Sequence, residues 1–258
     1  MSRRKYKVIL DDKHVYHVLD NTTGQQIQGK IWTVSTISNK IYEFHAETAL
    51  QRMNPENRKS KYGGLDDDSI LKIWRQNSTY TSRCGIAMHK LLEKYLRNVK
   101  DELTVIPPPI VSESPIVFDE THGVIITEKH LAQFQNYIHQ HSMIPVCMEH
   151  AVFSKDLMVA GTFDCLLKDD AGELILLDYK RRKELNHENY KKAVIQCNLY
   201  RQLYEQETSL KISKMFIVSI FPTNENIIFD PIEIADVIPQ VKDFLTEQNM
   251  IQTSENKG

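Results

Sequence analysis

The stretch Gly161–Lys180, GTFDCLLKDDAGELILLDYK, decides how this chain is read. Two apolar runs flank Asp169-Asp170-Ala171-Gly172, a set of turn-forming residues, so the spacing predicts an antiparallel hairpin of strands 157–168 and 173–180. Strand side chains alternate faces, which puts Asp178 and Lys180 on one side and Tyr179 on the other. Gly161-Thr162-Phe163-Asp164 brings a second carboxylate one strand over. Residues 145–154 read as the preceding strand and carry Glu149. Three acids and one lysine therefore converge at one end of a small sheet.

Working outward, the period changes from two to 3.6. A helix is expected over 127–141, with Thr127 as N-cap, and another over 82–99, where Ile86, Leu92, Tyr95 and Leu96 form an apolar stripe. Downstream, 187–205 reads as helix, 211–221 as an apolar strand and 233–248 as a last helix. This order predicts an α/β fold with a mixed sheet. Toward the N-terminus the reading is a hairpin over 6–19, a β-like run at 31–37 and a short helix over 43–51. A polar loop over 54–68 and a helix over 69–77 follow. Pro107-Pro108-Pro109 predicts a stiff connector. The expected organisation is an N-terminal β/helical extension (1–80) packed on a core with its C-terminal helix (81–250), then a flexible tail (251–258).

Composition removes several classes. The 258 residues carry 32 Lys+Arg against 34 Asp+Glu, a formal net charge of -2, so no overall basic charge advertises nucleic acid. It does not exclude nucleic acid, because metal-binding carboxylates can mask a local basic patch. No run approaches the roughly 18 apolar residues of a membrane span, and the basic start leads into no signal-peptide apolar region. The expectation is an intracellular protein with no membrane partner. Cys84, Cys147, Cys165 and Cys197 form no C-x-x-C pair, which predicts reduced, largely buried thiols rather than a zinc ribbon.

The acids and the lysine suggest a chemistry. Mg²⁺ takes oxygen ligands, typically one or two carboxylates with waters and phosphate. Asp164 and Asp178 suit it, and the Tyr179 carbonyl adds an oxygen. Lys180 would orient or deprotonate the attacking water and offset phosphate charge. Phosphodiester hydrolysis is the reaction this set predicts.

Further residues extend the pattern: Gly85-Ile86-Ala87-Met88-His89 before the sheet, and Gln196-Cys197-Asn198-Leu199-Tyr200 after it. Taken in order with Glu149, Gly161–Asp164 and Asp178–Lys180, they resemble the PD-(D/E)xK nuclease superfamily, and within it the RecB-like nucleases. The resemblance covers about residues 83–220. It implies a restriction-endonuclease-like core, a mixed central sheet flanked by helices, with N-terminal and C-terminal additions. By the same resemblance His89, Asp164, Asp178 and the Tyr179 carbonyl would bind metal, Mg²⁺ with Mn²⁺ able to substitute. Lys180 would be the catalytic lysine, and Glu149 the first-strand acid of more variable role. Gln196 and Tyr200 would contact DNA, although Tyr200 also suits a core aromatic. Arg83 would grip a terminal phosphate; Arg181 and Arg182 would hold the DNA backbone or simply form a solvated face. Some relatives hold an iron–sulfur cluster. Cys84 precedes His89, but no cysteine follows Cys197, so no cluster is expected.

The function implied is a divalent-metal-dependent deoxyribonuclease, an exonuclease of phage or large-virus type that processes DNA ends in recombination, repair or genome maturation. Its partners would be DNA and a recombination or single-strand-binding protein. The alternatives are an endonuclease for single strands or particular structures with the same site, and a catalytically silent DNA-binding module.

Overall fold

A computed structural model describes residues 4–101, 117–119, 123–182, 187–222 and 226–255. Pro107-Pro108-Pro109 and residues 256–258 lie outside them. The chain opens with an antiparallel hairpin, β1 (Tyr6–Leu10) and β2 (Tyr16–Asp20). The β-like run expected at 31–37 is strand only at β3 (Trp32–Thr33); α1 (Val34–Ile41) follows at once. The reason is a cap. The Thr33 hydroxyl accepts from the Thr36 N–H at 2.9 Å, and this local bond starts a helix that β-branched propensity alone argued against.

After α2 (Ala46–Gln51), the loop expected over 54–68 contains α3 (Pro55–Tyr62). Again the ends explain it. Asn54 accepts from the Glu56 and Asn57 N–H groups, Pro55 takes the first helical position, and Gly63 leaves the helix at φ +63°. The helices read separately at 69–77 and 82–99 are one 35-residue helix, α4 (Asp67–Asp101), so the division expected near residue 80 falls inside it. A small hairpin, β4 (Val117–Asp119) and β5 (Gly123–Ile126), precedes α5 (Glu128–Gln140). Thr127 caps α5 as expected, and His130 reaches back to accept the Thr127 N–H at 3.0 Å.

The three strands of the meander form where the hydrophobic pattern placed them: β6 (Ile144–Ser154), β7 (Val159–Lys168) and β8 (Leu174–Arg181). Then come α6 (His187–Thr208), β9 (Ile212–Phe221), β10 (Asn226–Pro231) and α7 (Ile238–Glu255). Helix α7 therefore starts later than the 233 expected and extends into the segment read as a tail.

The main sheet is mixed. β6–β7, β7–β8 and β9–β10 are antiparallel; β8–β9 and β3–β7 are parallel. One side is covered by α4 and α5 through Met88, Leu92, Leu96, Phe134 and Ile138, packed on Cys165, Leu167, Ile175 and Leu177. The other is covered by α1, α6 and α7, with Val34, Leu199, Leu203 and Val241 against Phe163, Leu166, Leu174 and Leu176. The alternating partition of residues 174–177 is what two-sided burial requires of a central strand.

Strand β7 positions the site. β6 pairs along nearly its whole length on one edge. The other edge is shared: β8 pairs with residues 165–168, while β3 pairs only with Val159 and Ala160. Residues 161–164 thus lie in a fork where the ladder opens. Gly161 is required here, because a Cβ would come within 2.5 Å of the Tyr200 ring and 2.7 Å of the Val34 side chain.

Candidate active site

The fork frees backbone donors that side chains then take. Asp164 Oδ2 accepts the Tyr179 N–H at 2.6 Å, so a carboxylate replaces the missing strand neighbour. Apolar alternation along β7 breaks here: Phe163 and Leu166 join the α6 side, whereas Cys165 and Leu167 join the α4 side. Asp164 turns toward α4, where its Oδ1 lies 3.0 Å from His89 Nδ1. His89 Nε2 lies 3.0 Å from the Tyr179 carbonyl. Both imidazole nitrogens therefore face acceptors, which calls for two ring protons and a positive charge. Burial alone would lower the His89 pKa, but the Asp164 charge and hydrogen bond outweigh it and the net shift is upward. Asp164 moves the other way. Its burial is overcome by His89, Lys180 and the Tyr179 N–H, and its pKa falls.

Glu149 sits on β6 between the pairs Met148–Cys165 and His150–Phe163, with φ +47°. A left-handed backbone at a non-glycine residue costs roughly 1–2 kcal/mol, and such strain is typical of functional positions. Loss of solvent around its carboxyl, then the Asp164 charge, push its pKa up to about 7. Single ligand atoms of His89, Glu149 and Asp164 all lie within 4.8 Å of one another. One imidazole nitrogen and two carboxylate oxygens would suit a divalent ion such as Mg²⁺ or Mn²⁺, whose binding would displace the ring proton that otherwise pairs His89 with Asp164.

Asp178 lies beside this trio, 2 % exposed, with Oδ2 2.8 Å from Lys180 Nζ. Burial, helped by the Asp164 charge, raises its pKa against the pull of Lys180. For Lys180 the Asp178 and Asp164 charges overcome burial and raise its pKa, keeping the ammonium charged. The structure thus groups Glu149 with His89 and Asp164, and turns Asp178 toward the lysine. The sequence signal for Glu149's place lay in the 155–158 turn, whose length sets the register that brings it beside Asp164.

Gln196 and Tyr200 share a face of α6, and Gln196 Nε2 donates to the Tyr200 hydroxyl at 3.3 Å. Tyr200 is only 4 % exposed and packs edge-on to Phe163 with ring centroids 6.2 Å apart. Its ring is buried against protein, so no base can stack on it in this arrangement; Gln196 is the more accessible of the two. Arg83 is exposed on α4. Arg181 lines the groove beside Tyr179 and Lys180, and the Arg182 N–H donates to the Ile220 carbonyl at 2.9 Å. None of the four cysteines, all among the described residues, forms a disulfide, and three are buried. Among the described residues no helix is long and apolar enough to cross a membrane.

The fork thus gathers acids from three neighbouring strands and a histidine from the covering helix into a group that could hold a metal ion. Residues 68–254 match the PD-(D/E)XK nuclease superfamily, and the chain belongs to it. Its members are usually metal-dependent nucleases. No curated protein matches the chain. Among solved structures it is similar to that of SSO0001, at 18% identity and TM-score 0.33, covering 48% of this chain and 57% of that one. The chain spans little more than half the length of that protein.

Proposed function

We propose that the chain is a deoxyribonuclease that hydrolyses phosphodiester bonds with Mg²⁺ or Mn²⁺. The observation that carries this reading is the convergence of His89, Glu149 and Asp164 within ligand distance of one another, beside a charged lysine. His89, Glu149 and Asp164 would hold the ion, with Asp178 adjacent. A bound divalent cation supplies Lewis-acid neutralisation of phosphate charge. The protein's own residues supply the rest. Asp178 and Asp164 keep Lys180 protonated. With Asp178 accepting at 2.8 Å, the ammonium is aimed, and its remaining N–H groups can orient a water and donate to a phosphate oxygen. The Asp164–Tyr179 hydrogen bond ties the backbone between Asp178 and Lys180 to the metal cluster, so both parts of the site move as one.

The finer reading is an exonuclease that processes DNA ends in recombination, repair or viral genome maturation. It rests on the RecB-like order of motifs, with exposed Arg83 as the residue for a terminal phosphate. Its test is cleavage of matched linear and circular DNA in Mg²⁺, Mn²⁺ or excess chelator. We expect degradation of the linear form, with none in chelator. Lys180→Ala should retain metal binding but lose at least about a hundredfold in rate. Near-normal turnover by that variant would remove Lys180 from the mechanism, and cleavage of circular DNA at equal rate would make the enzyme an endonuclease.

A further inference from the structure

A groove of about 970 Å³ runs from the site to the N-terminal helices. At one end lie His89, Tyr179 and Lys180; at the other, Phe44, Tyr62 and Trp74. Its far wall is built by Phe44 and Met53, which flank α2, and by Lys61 and Tyr62 of α3; Leu50 of α2 and Tyr62 pack on Ile70 and Leu71 at the start of α4. Phe44, Lys61 and Tyr62 precede the residues matching the superfamily, so this end is an addition to the shared core. We infer that the groove is a binding subsite for single-stranded DNA, with bases stacked on Phe44 and Trp74 and the backbone directed along α4 toward Lys180. The occupant's identity rests on the nuclease reading; the groove's chemistry does not.

Four features support a nucleic-acid single strand. First, Phe44 is presented rather than consumed in packing, beside a Trp74 that is half-buried against Leu50, Ile70 and Leu71 and still lines the groove. Phe44 is 65% exposed, and its ring meets Trp74 at 6.2 Å and 43°, too tilted for the two to stack on each other. Trp74 is held by its own indole N–H, which donates to the Tyr62 hydroxyl at 2.7 Å. A fixed indole beside an exposed phenyl ring is a platform for unpaired bases, whereas a duplex keeps its bases stacked on each other. Second, the α4 wall is polar. Asn77, Ser78, Thr81 and Ser82 follow Trp74 along one helix face toward Gly85 and His89 and present amide and hydroxyl groups suited to sugar and phosphate. Third, the charge has one sign. Lys61 stands at the aromatic end, and Lys180 and Arg181 at the other; no described residue lining the groove is acidic, in a chain of net charge -2. Fourth, the length fits. Trp74 to His89 spans about 22 Å of helix, and a stacked strand rising about 3.4 Å per nucleotide would place about six nucleotides there.

The test measures binding in chelator, where no cleavage occurs. The chain has two tryptophans, and Trp32 is 7% exposed within the core, so quenching by a dT oligonucleotide of about twelve residues reports on Trp74. We expect quenching that is lost in Trp74→Phe, and Phe44→Ala should raise Kd at least about fivefold, the low end for one stacked base. Phe44→Tyr should bind like the wild type, and Lys61→Ala should reduce the slope of log K against log salt by about 0.7. Phe44 is exposed, so its substitution leaves the core intact. Absence of quenching, wild-type affinity in Phe44→Ala, equal affinity for duplex, or tighter binding of RNA than DNA would each overturn the inference. Metal-dependent cleavage without quenching would remove the groove but keep the nuclease. Quenching without cleavage in any divalent metal would keep the groove and remove the nuclease.

Discussion

Glu149→Gln separates what the site costs from what it does. The substitution keeps the size of the side chain and the left-handed backbone, so it removes only the charge. In the fold the Glu149 pKa stands at about 7 against an ordinary 4.5. A raised carboxylate pKa means that its stabilising, protonated form is present below pH 4.5 and is lost as pH climbs through about 7. At about 1.4 kcal/mol per unit the full shift would be worth roughly 3.4 kcal/mol. The residue is exposed, however, and solvent screening reduces that to about 1 kcal/mol. Metal-free Glu149→Gln should therefore match the wild type at pH 4.5 and melt about 2–4 °C higher at pH 8. Metal should invert the order. An ion bound at 100 times its Kd adds about 2.7 kcal/mol to the wild type, and the variant, with one ligand charge gone, should gain less. Differential scanning fluorimetry across pH, with and without Mn²⁺, reads both effects. A variant no more stable than wild type at pH 8 would refute the crowding of carboxylates. An identical Mn²⁺ shift in both proteins would remove Glu149 from the ligand set.

Other substitutions test the frame around this cluster. Gly161→Ala drives a methyl into Tyr200 and Val34, and should lower stability by about 1–3 kcal/mol in a urea titration; an unchanged midpoint would mean that the fork is not tightly packed. Tyr200→Phe deletes only the bond from Gln196 and should cost about 1 kcal/mol, whereas Tyr200→Ala should cost about 3–5. If Tyr200→Ala instead melts like wild type but loses DNA binding, its role is contact with DNA. His150 is held near pKa 4 by burial and then by Arg4, while it stacks on Phe163 with centroids 5.1 Å apart. The fold resists its protonation, so its contribution is intact above pH 6.5 and should fall by up to about 3 kcal/mol as pH drops toward 4. His150→Phe should flatten that limb of the stability profile.

The sequence alone determined those parts whose physics is local. Alternating apolar residues specified β7 and β8, and Asp169–Gly172 joined them. Helical spacing placed His89, Gln196 and Tyr200, and the cap at Thr127 began α5 as read. Short-range chemistry also overrides propensity at helix caps: Thr33 turns a β-like run into α1, and Asn54-Pro55 makes α3 from a polar stretch. Tertiary structure decided whatever depends on the meeting of distant segments. Only the register of β6 on β7 brings Glu149 to Asp164 and His89, and only the division of one β7 edge between β3 and β8 opens the fork that Asp164 fills. Likewise, the exposed ring of Phe44 lines a groove with His89 only because α2 and α3 fold back against α4. Periodicity tells each residue which face of its own element it occupies; which other face it meets is settled by packing, where burial and charge are shared among elements far apart in the chain.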